Sequence, residues 1–490
     1  MPGCEPVSPQ KLKLVDSSTL DPQPPYAALS YCWGGSQTLV LSHDTHQAWL
    51  AGMEVASLPQ TIKDAVAVMQ SLGMTYLWID ALCILQDDAD DKLNEIANMA
   101  GVYERAHITV SAARSAAVGE GFLQPRHVAE EKLFQLPYVR KDGTVGSVVL
   151  VFGWPTTSIT EPIDLRGWTY QESALARRTL EYGTHQLRWR CRQQGHPDHH
   201  HGGQVVDGWT LLERKSSNTV ISNDAVLTKP SKPSVSSPGN AFGPASTWKT
   251  IVQEYTARLL TDPRDKLLAI SAVARKYQGL VDNDEYVAGL WRKDMANLLL
   301  WQGDAKLPPS PEYLAPSWSW ASVLGPISFR YPYDVPIDFE VTRVELRYLA
   351  PHDPYGRIAG GYLEVKAKVA EAVPWPIRPG GREGLDQHVA KDSVYLRAPD
   401  PTDDGTSIKY ARMGFLDHYD EGGTVLREFC KEGVLLLGLS DADINGAHHG
   451  QVDGLMLHGL PDGTFRRVGV HRPDFFTLSL PWEERILRIV

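Results

Sequence analysis

Apolar residues Ile62, Ala65, Val66, Met69 and Leu72 recur three and four positions apart, which predicts an amphipathic helix. Pro59 stands where a helix best tolerates proline, and Gly73 is placed to end it. Short apolar runs flank this helix. Ala27 to Trp33 ends at Gly34-Gly35, a strand feeding a tight turn, and Tyr76 to Leu82 carries Leu77, Ile79 and Trp78. A strand apolar on both faces suits a covered parallel sheet, so the three segments predict a βαβ unit with a right-handed crossover. Leu93, Ile96, Ala100 and Tyr103 then predict a second helix, and His107–Ala112 is β-branched and strand-like. The order β-α-β-α-β predicts a parallel sheet with helices on both faces, an α/β fold.

Further along, Leu136–Val139 and Val148–Phe152 around Asp142-Gly143 predict a hairpin. A helix is expected from Trp168 to about Leu180. Residues 193–247 are rich in Ser, Pro, Gly, Asn and His and read as a polar insertion. Helical patterns resume over Trp248–Lys276 and Tyr286–Trp301, a helical extension. From Asp338 on, short alternating runs such as Gly361–Val369, Gly433–Leu439 and Phe465–His471 predict a smaller, mostly antiparallel β region. The expected organisation is 1–192, 193–247, 248–337 and 338–490.

Composition narrows the function. With 490 residues, 42% hydrophobic and 22% charged, the chain reads as a globular protein of several domains. A net charge of −11 argues against nucleic-acid or anionic-membrane partners, since nothing would neutralise phosphates. Five scattered cysteines do not form a disulfide framework, no signal peptide is evident, and no apolar run approaches the ~18 residues of a membrane span. A reduced, cytoplasmic setting is expected. The 14 tryptophans fit a large, well-anchored core.

Three segments could carry chemistry. Asp80 is read at the carboxyl end of a covered strand, where open α/β sheets bind ligands, although the acids that follow also suit an ordinary helix N-terminus. In Arg166-Gly167-Trp168-Thr169-Tyr170-Gln171-Glu172, the four-residue spacing puts Trp168 and Glu172 on one helix face. An indole can stack on a nucleobase or pyridinium. A carboxylate can hold ribose hydroxyls or stabilise a developing oxocarbenium ion. Ala315 to Ser322 alternates Trp318 and Trp320 with Ser317 and Ser319, which reads as a structural strand closing against the first domain.

Taken together, these segments resemble the HET (heterokaryon incompatibility) domain of filamentous fungi. The residues that carry the resemblance are Tyr26 to Gly34, Leu58 to Ile62, Leu77 to Asp88, Met99 with Tyr103, and Arg166-Gly167-Trp168 with Gln171-Glu172. Leu260-Thr261 with Asp265 to Leu267, Gly289 to Trp291 and Ala315 to Ser322 resemble the region that commonly follows the domain. The chain departs from the family pattern at Lys92, Ala176 and Arg190. The resemblance implies a role in nonself recognition and programmed cell death. It also implies a remote likeness to TIR domains, with Ala28–Tyr31 and Leu77–Asp80 as the first two strands and Trp168 with Glu172 as the W-x-x-x-E pair. The implied fold is thus a TIR-like parallel sheet flanked by helices. The glutamate of that pair serves NAD cleavage in enzymatic TIR domains.

On this basis Glu172 and Asp80 are the candidate catalytic residues, and Ser30, Tyr31, Trp33, Gln86, Arg166, Trp168 and Gln171 the candidate substrate-binding residues. No cofactor is required, and the resemblance implies NAD as a candidate substrate. Three functions stay open: a signalling protein that works through a protein partner or self-association, an enzyme of specialised metabolism acting on a small organic substrate, and a non-catalytic interaction module. No metal site is expected. His196 and His199 to His201 lie in the polar insertion, and a solvated loop explains them. Cys32 and Cys83 have no basic neighbour in sequence to activate a thiolate. No phosphate-cradling glycine motif or nucleophile elbow is present.

Overall fold

The computed structural model describes residues 11–20, 24–37, 39–125, 132–139, 142–152, 160–185, 187–191, 244–304, 307–329, 339–350, 353–375, 393–397, 412–417, 434–441, 452–473 and 482–490. The histidines of the polar insertion lie outside these residues. Two units are formed, Met1–Val220 and Ile221–Val490.

The first unit contains β1 (Lys11–Leu12), β2 (Tyr26–Ser30), α1 (His43–Ala51), β3 (Met53–Glu54), α2 (Gln60–Ser71), β4 (Tyr76–Trp78), the single turn α3 (Asp80–Cys83), α4 (Ala89–Arg105) and β5 (Ile108–Ser111). Then come the hairpin β6 (Lys132–Val139) and β7 (Val145–Phe152), α5 (Thr169–Leu175), β8 (Arg178–Tyr182) and β9 (Leu187–Cys191). The main sheet runs β4-β2-β5-β8-β9. The pairs β2–β4, β2–β5 and β5–β8 are parallel, while β9 returns antiparallel to β8, so the expected parallel sheet is mixed at one edge.

Alternation along β2 explains both helical layers. Ala27 and Leu29 point to one face, where Leu29 meets Trp49 of α1 and Ile62, Ala65 and Val68 of α2. Tyr26 and Ala28 point to the other, against Met99 and Tyr103 of α4 and the indole of Trp168. Ser30 continues this second series and faces α5. Chain order runs from β2 out to β4 and back past β2 to β5. The winding direction therefore reverses at β2, the kind of place where open sheets bind ligands.

Two expected boundaries in this unit shift. The strand at Tyr76 stops at Trp78, and Asp80 begins a one-turn helix with its carboxylate accepting the Ala81 amide at 2.7 Å. The helix expected to about Leu180 ends at Leu175, because Ala176 turns extended (ψ 132°) and Arg178–Tyr182 pairs with β5. Of the acids after Gln86, Asp88 accepts the amides of Asp90 and Asp91 and starts α4, Asp87 accepts the His43 amide at the start of α1, and Asp91 accepts the Leu85 amide.

The second unit opens with helices α6 (Pro244–Thr256), α7 (Ser271–Gln278) and α8 (Met295–Leu298). The helix expected over Tyr286–Trp301 is instead a tiny hairpin, Tyr286–Val287 against Leu290–Trp291, followed by α8. An eight-stranded sheet follows. Its pairings close on themselves through Ile358–Trp375, Ser393–Arg397, Arg412–Leu416, Phe465–Pro473, Val452–Gly459 and Val434–Asp441, around a core that includes Ala370, Leu396, Leu436 and Met456.

The Trp318-Ser319-Trp320 segment is a turn running into a short 3₁₀ helix, not the expected strand. Both indoles are fully buried. Ser319 Oγ donates to Ala288 O at 2.6 Å, and the indoles of Trp320 and Trp248 donate to Gly289 O at 2.8 and 2.9 Å. These bonds pin the turn of the tiny hairpin, where Ala288 and Gly289 both have positive φ (49° and 95°). A Cβ on Gly289 would meet Trp320 Nε1 at 2.6 Å. Gly289→Ala is therefore expected to destabilise the second unit by about 2 kcal/mol or more, read as a lowered melting temperature for that unit.

Candidate active site at the carboxyl ends of the central strands

Ser30 is the last residue of β2, and its parallel neighbour is Ser111 of β5. The row continues across the sheet to Glu181 of β8 and Arg188 of β9. Above it, α5 lowers Glu172, which accepts a hydrogen bond from Ser30 Oγ at 2.5 Å and is only 4% exposed. Asp80 approaches from α3, its second oxygen accepting the Trp33 indole N–H at 2.8 Å. Arg166, in the loop that leads into α5, donates to the carbonyl of Tyr31 and acts electrostatically on both carboxyls.

One guanidinium thus serves two acids. Burial pushes Glu172 up to about 7; Arg166 and the bonds from Ser30 and Tyr103 oppose the shift, while Asp80 adds to it. Burial also raises Asp80, again against Arg166 and against the donors Trp33 and Ala81. Two carboxyls beside one cation cannot both ionise cheaply, so each raises the cost of ionising the other. A carboxyl poised near 7, as Glu172 is, is what acid–base and charge-stabilising chemistry requires.

The remaining candidates divide by what they touch. Trp33 packs beside the α1–α2 core and keeps an exposed side, as Arg166 and Trp168 do. Trp168 packs on Ala28, Met99 and Tyr103, so its indole borders the same tyrosine as Glu172. Gln86 spends its amide on the carbonyls of Asp80 and Ile84, both at 3.3 Å, and so braces the loop. The Tyr31 hydroxyl and Gln171 Oε1 are buried with no hydrogen-bond partner. The Tyr31 hydroxyl faces Asp80 without closing a bond, and burial together with that carboxyl drives its pKa far up.

Sequence reading did not place Tyr103, Ser111, Glu181 or Arg190 among the candidate site residues. Tyr103 of α4 donates to Leu29 O at 3.0 Å beside Glu172, and Ser111 lies next to Ser30. Glu181 binds Arg188 at 2.6 Å and Arg190 at 3.0 Å, and Arg190 also donates to Ser173, the residue after Glu172. Arg190 therefore steadies α5 from the edge of the sheet.

Residues 26–172, from the first residue of β2 to the buried glutamate, match the family model described as heterokaryon incompatibility protein (HET). The chain carries a HET domain. No curated protein and no solved structure matches it. The match places the Ser30–Glu172 contact and the Asp80–Trp33 contact inside the HET domain.

Cysteine chemistry finds little support in the geometry. Cys32, Cys83 and Cys191 are free, and burial pushes Cys32 and Cys83 each up to about 11, so both stay thiols at neutral pH. Among the described residues no group of three or more His, Cys, Asp and Glu is placed to hold a metal ion. No described helix is long and apolar enough to cross a membrane.

Proposed function

We propose that this HET-domain protein acts in heterokaryon incompatibility, and that its domain cleaves the N-glycosidic bond of NAD in the manner of a TIR-like glycohydrolase. The observation that carries the reading is the Glu172 carboxyl, poised near neutrality over Ser30 at the reversal point of the sheet. Nicotinamide leaves NAD as a neutral molecule, so the bond breaks with its electron pair moving to the ring nitrogen. Positive charge passes to the ribosyl carbon, and water completes the reaction with loss of a proton. An ionised Glu172 stabilises that charge, and Arg166 holds Asp80 as the second acid of the pair. Trp33, Arg166 and Trp168, all part-exposed, form the rim.

Glu172 is 4% exposed, so this conformation is closed, and substrate enters when the rim parts. Association with a protein partner or a second copy is the event we assign to that opening. The same burial favours a second reading, in which Glu172 is a fold determinant of a non-catalytic interaction module. Incubating the purified chain with NAD, with and without a crowding agent that forces assembly, and following nicotinamide release separates the two. Release that a folded Glu172→Gln variant lacks supports hydrolysis. Absence of release under both conditions from folded protein excludes it.

A further inference from the structure

The hairpin of β6 and β7 stands apart from the main sheet. Its pairs run from Lys132 opposite Phe152 to Val139 opposite Val145, and among the described residues neither strand pairs with a third. The outer half is open to solvent, with Tyr138 53% and Val145 74% exposed and Leu136 and Val139 exposed beside them. A lone two-stranded ribbon is marginal in water and gains stability when further strands join it.

Its two outer edges differ. β6 carries Pro137, which has no N–H to offer, opposite Ser147 of β7. Proline is tolerated in a ladder where the missing N–H would face outward, so Pro137 blunts the outer edge of β6. Opposed residues of an antiparallel pair either bond each other twice or point these groups away from each other. Ser147 therefore presents its N–H and C=O on the outer edge of β7. The whole strand, Val145-Gly146-Ser147-Val148-Val149-Leu150-Val151-Phe152, holds no charge and no proline, the devices that keep an edge from pairing.

We infer that the outer edge of β7 is a self-association surface, on which a second copy of this chain lays its own β7 antiparallel about a twofold axis. Charge favours a second copy. Glu130-Glu131-Lys132, leading into β6, carry one net negative charge, and Arg140-Lys141-Asp142, following it, carry one net positive charge. Antiparallel pairing sets the tip of one hairpin beside the base of the other, so unlike ends meet. The four-stranded sheet then ends on β6 at both sides, where Pro137 stops further addition, and pairing closes at two copies. The inference names the copy and the edge, and it does not require that the HET domain cleave NAD.

Sedimentation of the full chain over a range of concentrations tests this. A particle of twice the 54.3 kDa chain is expected at the upper end. Ser147→Pro deletes one edge donor from each copy and is expected to raise the dimer dissociation constant by about tenfold or more. Ser147→Lys keeps the N–H but sets two like charges near the twofold axis, and is expected to weaken the dimer as well. It decides the matter if the proline variant does not fold. Tyr138→Lys is the control, because Tyr138 projects from the face of the ribbon and should stay clear of an edge-to-edge contact. A monomer at every concentration overturns the inference. So does a dimer that resists Ser147→Lys, or one that Tyr138→Lys breaks equally. A dimer that releases no nicotinamide rejects the hydrolase reading alone, and a monomer that releases it rejects the pairing alone.

Discussion

Replacing Asp417 with alanine is expected to remove about 3–5 kcal/mol from the second unit, a large share of a protein's usual net stability. Arg467 is 0% exposed at its side chain and sits 3.4 Å from the centre of the Trp301 ring. Asp417 accepts from it twice, at 2.8 and 3.1 Å, and the carbonyls of Leu299 and Trp301 each accept one more of its N–H groups. Taking away the carboxylate strands a cation where water cannot reach it, and the two carbonyls supply only partial charges. Replacing both partners, Asp417→Leu with Arg467→Met, removes the charge along with its counterion and is expected to recover most of the loss. Calorimetry on the full chain reads both variants as movement of one unfolding transition. A single Asp417→Ala variant as stable as the wild type would show that Arg467 is solvated or neutralised some other way.

The local pattern announced the first unit well. The apolar spacing of Ile62, Ala65 and Met69 marks α2 because a helix must bury one stripe, and the run from Ala27 marks β2 because a covered strand must be apolar on both sides. Where propensity met tertiary pairing, pairing won. Arg178–Tyr182 follows a helical stretch without a proline or glycine to break it, yet it becomes a strand because β5 offers it a parallel partner. Trp318 and Trp320 alternate like strand residues, but Ser319 and the Trp320 indole donate to a positive-φ turn and Trp318 O accepts the Trp301 indole, so the backbone coils.

The site was legible in part. Glu172, Asp80, Ser30 and Trp33 all converge at one end of the sheet. Tyr103 could not be singled out from spacing, because its bond reaches Leu29 across 74 positions. Ser111 and Glu181 join the row only through strand register, which no local pattern shows.

Glu172→Gln is expected to abolish any nicotinamide release, by about 100-fold or more, while making the first unit more stable at alkaline pH. Both effects come from one ionisation. The folded pKa, raised from 4.5 to about 7, means the fold prefers the neutral acid. Between these values the unfolded chain has lost a proton that the folded chain keeps, so stability falls as pH rises. The contribution is fully present below about 4.5 and is lost as pH passes 7, a total of about 3 kcal/mol at ~1.4 kcal/mol per unit. Asp80, raised in the same direction, adds a slope of the same sign, and subtracting the Glu172→Gln curve from the wild type isolates the glutamate. Glutamine imitates the protonated acid: its oxygen can accept from Ser30 and its amide can donate to Tyr103. The variant should therefore lack the loss, and the two stabilities should diverge from about pH 4.5 upward until the difference levels off above pH 7. Charge stabilisation at the ribose needs the ionised form, so NAD cleavage should rise with pH over the same interval in which the wild-type fold weakens. A carboxylate buried at such a cost is hard to explain as packing alone, since a neutral side chain would serve the fold better there. Equal stability of wild type and variant from pH 5 to 8 would place the Glu172 pKa in the ordinary range and remove the charge-stabilising role with it.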